Sequence, residues 1–253
     1  MQDAGTKFKT LNSSLEAGEI NSSQAVAIGC ALADFATLLH TWSKSQPQLC
    51  QEMGKHHQAK DVFLWAHYAR LGETIGMVPS GILNDYQETF DQAYQLMASE
   101  MWDPVGCGII HGDYWTGNIL VSQHTTDSNI GVNQLYVIDW EMTKFAPAIF
   151  DIGQLSAEVF LHFRKKPEAI KLLDAFLGAY KGLESTATRC KVAIAFGVHL
   201  VVWPIRLQGW GTMGEIEECV KMGAEYIQKG LQGDVNWLQK GMLREFFREQ
   251  PST

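Results

Sequence analysis

Three short runs rich in β-branched residues lie within residues 108–141 of a sequence that otherwise has helical periodicity. The runs are GIIHGD, NILVS and LYVIDWE. The second and third are separated by QHTTDSNIGVN, a polar segment with one glycine that is typical of a hairpin loop. This arrangement predicts a small β element, including one hairpin, set inside a helical body.

Apolar residues recur at helical spacing on both sides of this region, which predicts several amphipathic helices. One helix is expected after Asn21, a good N-terminal cap, and another from the first turn at Pro167. A long apolar helix after Cys190 should kink or end near Trp203, because Pro204 follows. The expected apolar stripes are Ile28–Leu32–Phe35–Leu39–Trp42, Tyr86–Phe90–Ala93–Met97–Met101, Ile170–Leu173–Leu177–Tyr180 and Ile216–Val220–Ala224–Ile227–Leu231.

Composition narrows the class of protein. The chain has 253 residues, 46% of them apolar and 19% charged, which is typical of a globular protein, and we expect a single domain over 1–253. Its net charge of −8 argues against a nucleic-acid partner. Five scattered cysteines without a C-x-x-C pair indicate a reducing compartment. No apolar leader opens the sequence, and its longest apolar run is too short to cross a bilayer, so we expect a cytoplasmic protein without a membrane partner.

The spacing of polar residues around the β element indicates a chemistry. Asp113 and Asn118 lie five positions apart between the first two runs, as in the D-x-x-x-x-N of a kinase catalytic loop. Asp139 ends the third run, so pairing of the last two runs would bring Asn118 and Asp139 to the open end of one hairpin. Two carboxylates and an amide oxygen suit phosphoryl transfer, because magnesium prefers hard oxygen ligands.

The ordered motifs HGDYWTGN, VIDWE and FDIG resemble those of the aminoglycoside phosphotransferase/choline kinase-like family, which has a protein-kinase-like fold. The resemblance implies an α+β chain: the mostly helical C-terminal lobe of that fold, with a small β-hairpin at the active centre. It also implies ATP and Mg²⁺ as cofactors, and transfer of the ATP γ-phosphate to a hydroxyl of a small-molecule acceptor.

The resemblance also implies roles for individual residues. Asp113 would be the catalytic residue that orients or deprotonates the acceptor hydroxyl, and Asn118 and Asp139 would be the magnesium ligands. Leu120 and Ile138 would form the floor of the site that binds the adenine of the nucleotide.

Three further residues would support this centre. His111 would order the loop that carries Asp113. Asp151 would brace the same loop, although its carboxylate could equally cap the helix that it opens. Glu141 would lie behind the metal ligands or be a solvated strand end.

The acceptor pocket is less well defined by sequence. Trp203 and Trp210 lie where this fold builds that pocket, and their rings suit a cation, but core packing explains them as well. Many family members carry a second histidine where this chain has Trp115, which cannot accept a proton. The pattern favours a core role for His199 and gives no role to the remaining helical histidines, His40, His67 and His162.

The match weakens upstream of residue 110. The Gly-rich strand pair, strand lysine and helix glutamate of a kinase N-terminal lobe are not matched there, so we expect that β-lobe to be absent and the chain to begin near the interlobe hinge. Such a chain is expected to be weakly active or inactive and to self-associate through the exposed interlobe surface. The alternatives are a non-catalytic kinase-like binding or regulatory module, a fragment of a longer gene product, or a metal-dependent hydrolase.

Overall fold

The computed structural model describes residues 8–122, 134–183 and 185–248, and helices dominate them. The helices are α1 (Leu11–Ala17), α2 (Ser22–Lys44), α3 (Pro47–Gly54), α4 (His57–Leu64), α5 (Leu71–Met77), α6 (Gln87–Trp102), α7 (Ile149–Phe163), α8 (Ala169–Ala179), α9 (Thr186–Val202), α10 (Met213–Gln232), α11 (Val235–Leu238) and α12 (Arg244–Phe247). The strands are β1 (Phe8–Thr10), β2 (Gly108–Ile110), β3 (Ile119–Ser122), β4 (Leu135–Val137) and β5 (Lys144–Ala146).

The strands form two small antiparallel sheets, in the orders β1-β3-β4 and β2-β5. The predicted hairpin is confirmed: β3 pairs with β4, and Ile119 lies opposite Val137. Its expected loop, residues 123–133, lies outside the described residues. The sequence did not predict β1 or β5, because three-residue strands centred on Lys9 and Phe145 have no apolar alternation to recognise.

Two of the three helix ends predicted from capping residues and prolines are confirmed. Asn21 caps α2 in a capping box with Gln24, whose side chain accepts the Asn21 N–H in return. Helix α9 ends at Val202, ahead of Pro204 as expected. Helix α8, however, begins at Ala169 rather than at Pro167, because the chain forms turns at residues 164–165 and 167–168 after α7.

Helix α7 is the centre of the molecule. Every residue from Ile149 to His162 is buried, so this helix is covered on all sides. Gly153 allows close contact with α9, because a Cβ there would collide with the Cβ of Ala195. Glu158 meets His199 further along, so α7 and α9 run in the same direction. The start of α7 faces the loop that joins β2 to β3, because Asp151 accepts hydrogen bonds from that loop.

Helix α2 has an apolar composition for its length. Its 23 residues have a mean hydropathy of 1.4 over their most apolar window, so length and composition alone would allow it to cross a membrane. Its buried apolar side chains, among them Ile28, Leu32 and Ala36, belong to the same apolar cluster as Leu172 and Phe176 of α8. The described residues thus form a mostly helical α+β structure with small antiparallel sheets.

Candidate active site

The loop of residues 111–118, which joins β2 to β3, is fixed by a buried carboxylate. Asp151, in the first turn of α7, accepts the backbone N–H groups of His111 and Gly112, each at 2.8 Å. Burial alone would raise the pKa of Asp151, but the hydrogen bond and charge of His40 and the bond from Gly112 lower it below its ordinary value. Asp151 therefore braces the 111–118 loop; the side chain does not bond the N–H groups of its own helix.

His40 extends this brace and was given no role by the sequence. Its Nε2 lies 3.2 Å from a carboxylate oxygen of Asp151, and its Nδ1 lies 2.8 Å from the hydroxyl of Tyr180. Because a carboxylate only accepts, Nε2 carries the proton in this contact. A buried chain of three side chains thus connects α8, α2 and the start of α7 to the 111–118 loop.

Backbone geometry at Gly112 also fixes the loop. Its φ of +80° lies in the left-handed region, and an added Cβ would collide with the carbonyl oxygen of Met142 and with Lys144 Nζ. Lys144, fully buried on β5, donates to the carbonyls of Met142 at 2.7 Å and Gly112 at 3.3 Å. Burial lowers the pKa of Lys144 to about 8, against the opposing attraction of Asp151 and Asp113.

His111 joins the loop to the end of β4. Its Nδ1 accepts the backbone N–H of Asp113 at 3.3 Å, and its Nε2–H donates to the carbonyl of Ile138 at 2.9 Å. These two bonds fix the neutral tautomer that is protonated at Nε2. With both ring nitrogens occupied, His111 orders the loop that carries Asp113.

Two amides hold the carboxylate of Asp113. Asn118 Nδ2 donates to Asp113 Oδ2 and to its backbone oxygen, both at 2.9 Å, and Gln154 Nε2 donates to Oδ1 at 2.9 Å. Gln154 was not predicted as a site residue, although it lies three positions after Asp151 and so one turn further along α7. The carboxylate keeps free lone pairs, because each of its oxygens accepts one amide hydrogen bond.

Asp139 lies at the same end of the hairpin. Ile138 N donates to the carbonyl of Asn118 at 2.9 Å, which extends the β3–β4 ladder to its open end. Asp139 follows and is the one non-glycine residue with positive φ (66°) in the described part of the chain. Such backbone conformations are costly and cluster at functional sites. Asn118 is thus bonded to Asp113 through its side chain. Through its backbone it pairs with Ile138, the residue before Asp139.

These groups form a donor set of the kind that magnesium prefers. Because Asn118 Nδ2 is committed to Asp113, its Oδ1 is the atom left for a cation, and Asp139 adds an exposed carboxylate. No cluster of three or more His, Cys, Asp or Glu side chains suited to a metal was found in residues 8–122, 134–183 and 185–248. One carboxylate and one amide oxygen still suit Mg²⁺, which keeps several waters and binds phosphate oxygens.

The remaining predicted residues lie around this centre. Leu120 and Ile138 share one face of the hairpin and are both partly exposed, since Leu120 lies opposite Tyr136, two positions before Ile138. Glu141 lies in a short turn after Asp139 and is exposed to solvent.

A pocket of about 200 Å³ opens beside Asp113. Its lining residues come from the loop, from α7, from the last turn of α9 and from the segment after α9, and they are Asp113, Trp115, Gln154, Glu158, His199, Trp203 and Leu207. Trp203 is therefore brought to Asp113. Trp210 is not: its ring contacts His162 at 5.5 Å.

Comparisons with known proteins agree with this geometry. A family model described as the phosphotransferase enzyme family matches residues 11–189, which include all three motifs. The 4-hydroxytryptamine kinase of Psilocybe cyanescens is 23% identical over 248 residues, covering 93% of this chain and 64% of that protein. The 4-hydroxytryptamine kinase of Psilocybe cubensis is 28% identical over 118 residues, covering 46% of this chain and 32% of that protein. The chain thus spans less than two thirds of the length of these relatives. It belongs to the phosphotransferase enzyme family, as its motifs predicted.

Proposed function

We propose that this chain carries the catalytic and acceptor-binding part of a Mg²⁺-dependent kinase that transfers the γ-phosphate of ATP to a hydroxyl of a small molecule. One observation carries the proposal. Asp113 is held by Asn118 and Gln154 at the edge of a pocket, and Asn118 in turn lies beside Asp139 at the open end of the hairpin.

Each residue of this group has a task in that reaction. Asp113, fixed by two amides, accepts the hydrogen of the acceptor hydroxyl and directs its oxygen toward the terminal phosphate. Asn118 Oδ1 and the Asp139 carboxylate hold the metal. A bound Mg²⁺ would supply positive charge that offsets the charge of the phosphate groups. The protein then contributes mainly position, because phosphoryl transfer requires little covalent chemistry from side chains.

The nucleotide is proposed to lie against the exposed face of the hairpin. Leu120 and Ile138 present partly exposed apolar surface there, beside the two proposed metal ligands. An adenine ring on this face would have its phosphates directed toward Asn118 and Asp139. This position also leaves the pocket beside Asp113 free for the acceptor.

Turnover by the 253-residue chain itself is proposed to be weak. Residues 1–110 do not match the Gly-rich strand pair and strand lysine that hold the phosphates in kinases. Such preorganised charges account for much of the rate enhancement in sites of this kind. Measurable but slow transfer is the expected result, in an assay of radiolabelled phosphate with a large excess of chain.

The first acceptor to test comes from the named relatives, which are 4-hydroxytryptamine kinases. We propose a hydroxylated aromatic amine of this kind as the acceptor. Its neutral counterpart is 4-hydroxyindole, which keeps the ring and the hydroxyl but lacks the aminoethyl chain.

Nucleotide binding provides the direct test of the proposal. We expect calorimetry to detect ATP binding that requires Mg²⁺, and Asp139→Ala to weaken it at least tenfold. Asp85→Ala is the matched control, because Asp85 is exposed in a short turn before α6 and should leave binding unchanged. Nucleotide binding that is independent of magnesium and unaffected by Asp139→Ala would contradict the proposal. Absence of nucleotide binding would favour a non-catalytic binding module.

A further inference from the structure

The pocket beside Asp113 contains an unusual concentration of unpaired polar atoms. In the described part of the chain, eight buried side-chain nitrogen or oxygen atoms have no hydrogen-bond partner, and four of them belong to residues that line this pocket. These four atoms are Gln154 Oε1, Glu158 Oε2, His199 Nδ1 and Trp203 Nε1. Buried polar groups are nearly always paired in native proteins, so four unpaired atoms at one cavity indicate a site prepared for a ligand.

Glu158 is the charged member of this group. Its side chain is 5% exposed, and Oε1 accepts the Nε2–H of His199, which is 4% exposed, at 2.6 Å. No lysine or arginine forms an ion pair with Glu158 within the ranges that the structure describes. The other oxygen of this buried carboxylate, Oε2, has no hydrogen-bond partner, which is costly for a buried polar atom. The missing partner of Oε2 is therefore a hydrogen-bond donor, and a positive charge would suit it best.

Helix geometry sets the distance between Glu158 and the end of the pocket at which Asp113 lies. Gln154 bonds Asp113, and Glu158 lies one turn further along α7, an axial rise of about 6 Å. The two helices run in the same direction, so His199 on α9 and Trp203, the first residue after α9, follow in the same order. The pocket thus has the carboxylate of Asp113 at one end, where a hydroxyl can bind. The unpaired oxygen of Glu158 lies one helical turn away.

The rest of the lining suits a flat apolar body between these two ends. Trp115, Trp203 and Leu207 supply aromatic and aliphatic walls. Aromatic faces attract cations as well as rings, so they favour an ammonium group near Glu158. The unpaired oxygen of Gln154 is a second acceptor on the same side, and an ammonium has three hydrogens to donate.

We propose that Glu158, oriented by His199, selects the acceptor of the reaction by binding its protonated amine while Asp113 holds its hydroxyl. The ligand class is an aromatic alcohol or phenol that carries an ammonium group about one helical turn from the hydroxyl. The proposal deepens the kinase function proposed above and rests on it for the role of Asp113. Glu158 contacts the substrate, whereas His199 is a positioning residue.

Equilibrium binding tests the proposal without requiring turnover. The probes are 4-hydroxytryptamine and 4-hydroxyindole, measured by calorimetry at neutral pH against the purified chain. We expect the chain to bind the amine at least tenfold more tightly than the neutral indole. In Glu158→Gln, which keeps the shape and removes the charge, affinity for the amine should fall at least tenfold. Affinity for 4-hydroxyindole should change less than twofold.

Glu100→Gln is the matched control. Glu100 also forms a partly buried pair at 2.6 Å, with Lys191, but it does not line the pocket. The control should bind both probes as the wild type does. Equal affinity of the wild-type chain for the two probes would overturn the proposal. So would unchanged amine binding in Glu158→Gln, or an equal loss of both probes, since the latter indicates a general change in the pocket.

Two substitutions test the positioning role of His199. His199→Gln keeps a side-chain donor for Glu158 and should retain most of the preference for the amine, whereas His199→Leu should lose most of it. Full preference in His199→Leu would remove His199 from the proposal. Failure of the kinase function is separately visible, because Mg²⁺-dependent nucleotide binding and its loss in Asp139→Ala do not depend on which acceptor the pocket takes.

Discussion

The side-chain amide of Asn118 donates to both the carboxylate and the backbone oxygen of Asp113, at 2.9 Å in each case. This single contact sets the orientation of two residues that the kinase motif separates by five positions. It occupies one carboxylate oxygen of Asp113 and leaves the other for the amide of Gln154, and both Asp113 and Gln154 line the pocket. It also decides which atom of Asn118, its amide oxygen, is left for a metal.

Asn118→Asp tests this contact, because the substitution should lower the free energy of unfolding. The substitution replaces a donor with a second carboxylate beside Asp113, and repulsion between two charges about 4 Å apart costs about 4 kcal/mol at an effective dielectric constant of 20. Repulsion raises the folded-state pKa of one carboxyl above its unfolded value, so stability is lost as pH rises through about 4 and beyond. We expect the gap in unfolding free energy between variant and wild type to widen from pH 4 to pH 7 in urea titrations. A gap that does not depend on pH would contradict this contact.

Asp151→Asn should be one of the most destabilising conservative changes in the chain. Asp151 is 1% exposed and accepts from His111, Gly112 and His40. Breaking a buried charged network of this kind costs about 3 kcal/mol or more, measured by denaturant unfolding.

Asp174→Asn provides the comparison for that change. Asp174 also forms an ion pair, with Arg244, but both side chains are a quarter or more exposed. Such a pair contributes less than about 1 kcal/mol. Similar losses in the two variants would show that burial of Asp151 does not determine its contribution.

The sequence predicted the parts of this molecule that depend on local pattern. The two strands of the hairpin and the end of α9 ahead of Pro204 each follow from a short stretch of sequence. The start of α8 was misplaced by two residues, because Pro167 suits a turn as well as a first helical position. Strand β5 was missed because a buried lysine begins it, and lysine is almost never fully buried.

The supporting residues of the site could not be predicted, because their roles depend on tertiary contacts. His40 lies on α2, far along the chain from the Asp151 that it contacts. His199 fits a core helix by pattern, and only the packing of α9 on α7 reveals that Glu158 bonds one of its nitrogens and that the other is unpaired. Trp203 and Trp210 flank the same short segment, residues 204–209, yet the pocket includes only the first.

An exposed apolar patch on α2 should cause self-association. The patch consists of Phe35, Leu38, Leu39 and Trp42, which line a shallow depression, and Leu38 is 66% exposed. Contiguous patches of this kind favour association. We expect light scattering to show a mass that increases with concentration, and Leu38→Lys with Trp42→Lys to reduce it. Val26→Lys, at a separate exposed site on α2, should not. A monodisperse monomer for the wild type at high concentration would refute this.

Lys144 should give the chain an unusual dependence of stability on alkaline pH. Its folded-state pKa is lowered to about 8 by burial, against an ordinary value of 10.5. Between these two pH values the unfolded chain binds a proton that the folded chain has released, so Lys144 makes folding more favourable as pH rises. The full effect is about 3 kcal/mol, from roughly 1.4 kcal/mol per pKa unit.

Lys144→Met isolates this contribution from other alkaline titrations. Burial raises the pKa of Tyr226 to about 12 and that of Cys219 to about 11, and both shifts make the folded state less stable at high pH. These groups are present in both proteins, so they cancel in the difference between wild type and variant. From pH 7.5 to pH 10, denaturant unfolding should show the wild type gaining stability relative to Lys144→Met. A constant difference over that range would mean that Lys144 keeps its proton, and that the carbonyls of Gly112 and Met142 hold it as a permanent cation beneath the 111–118 loop.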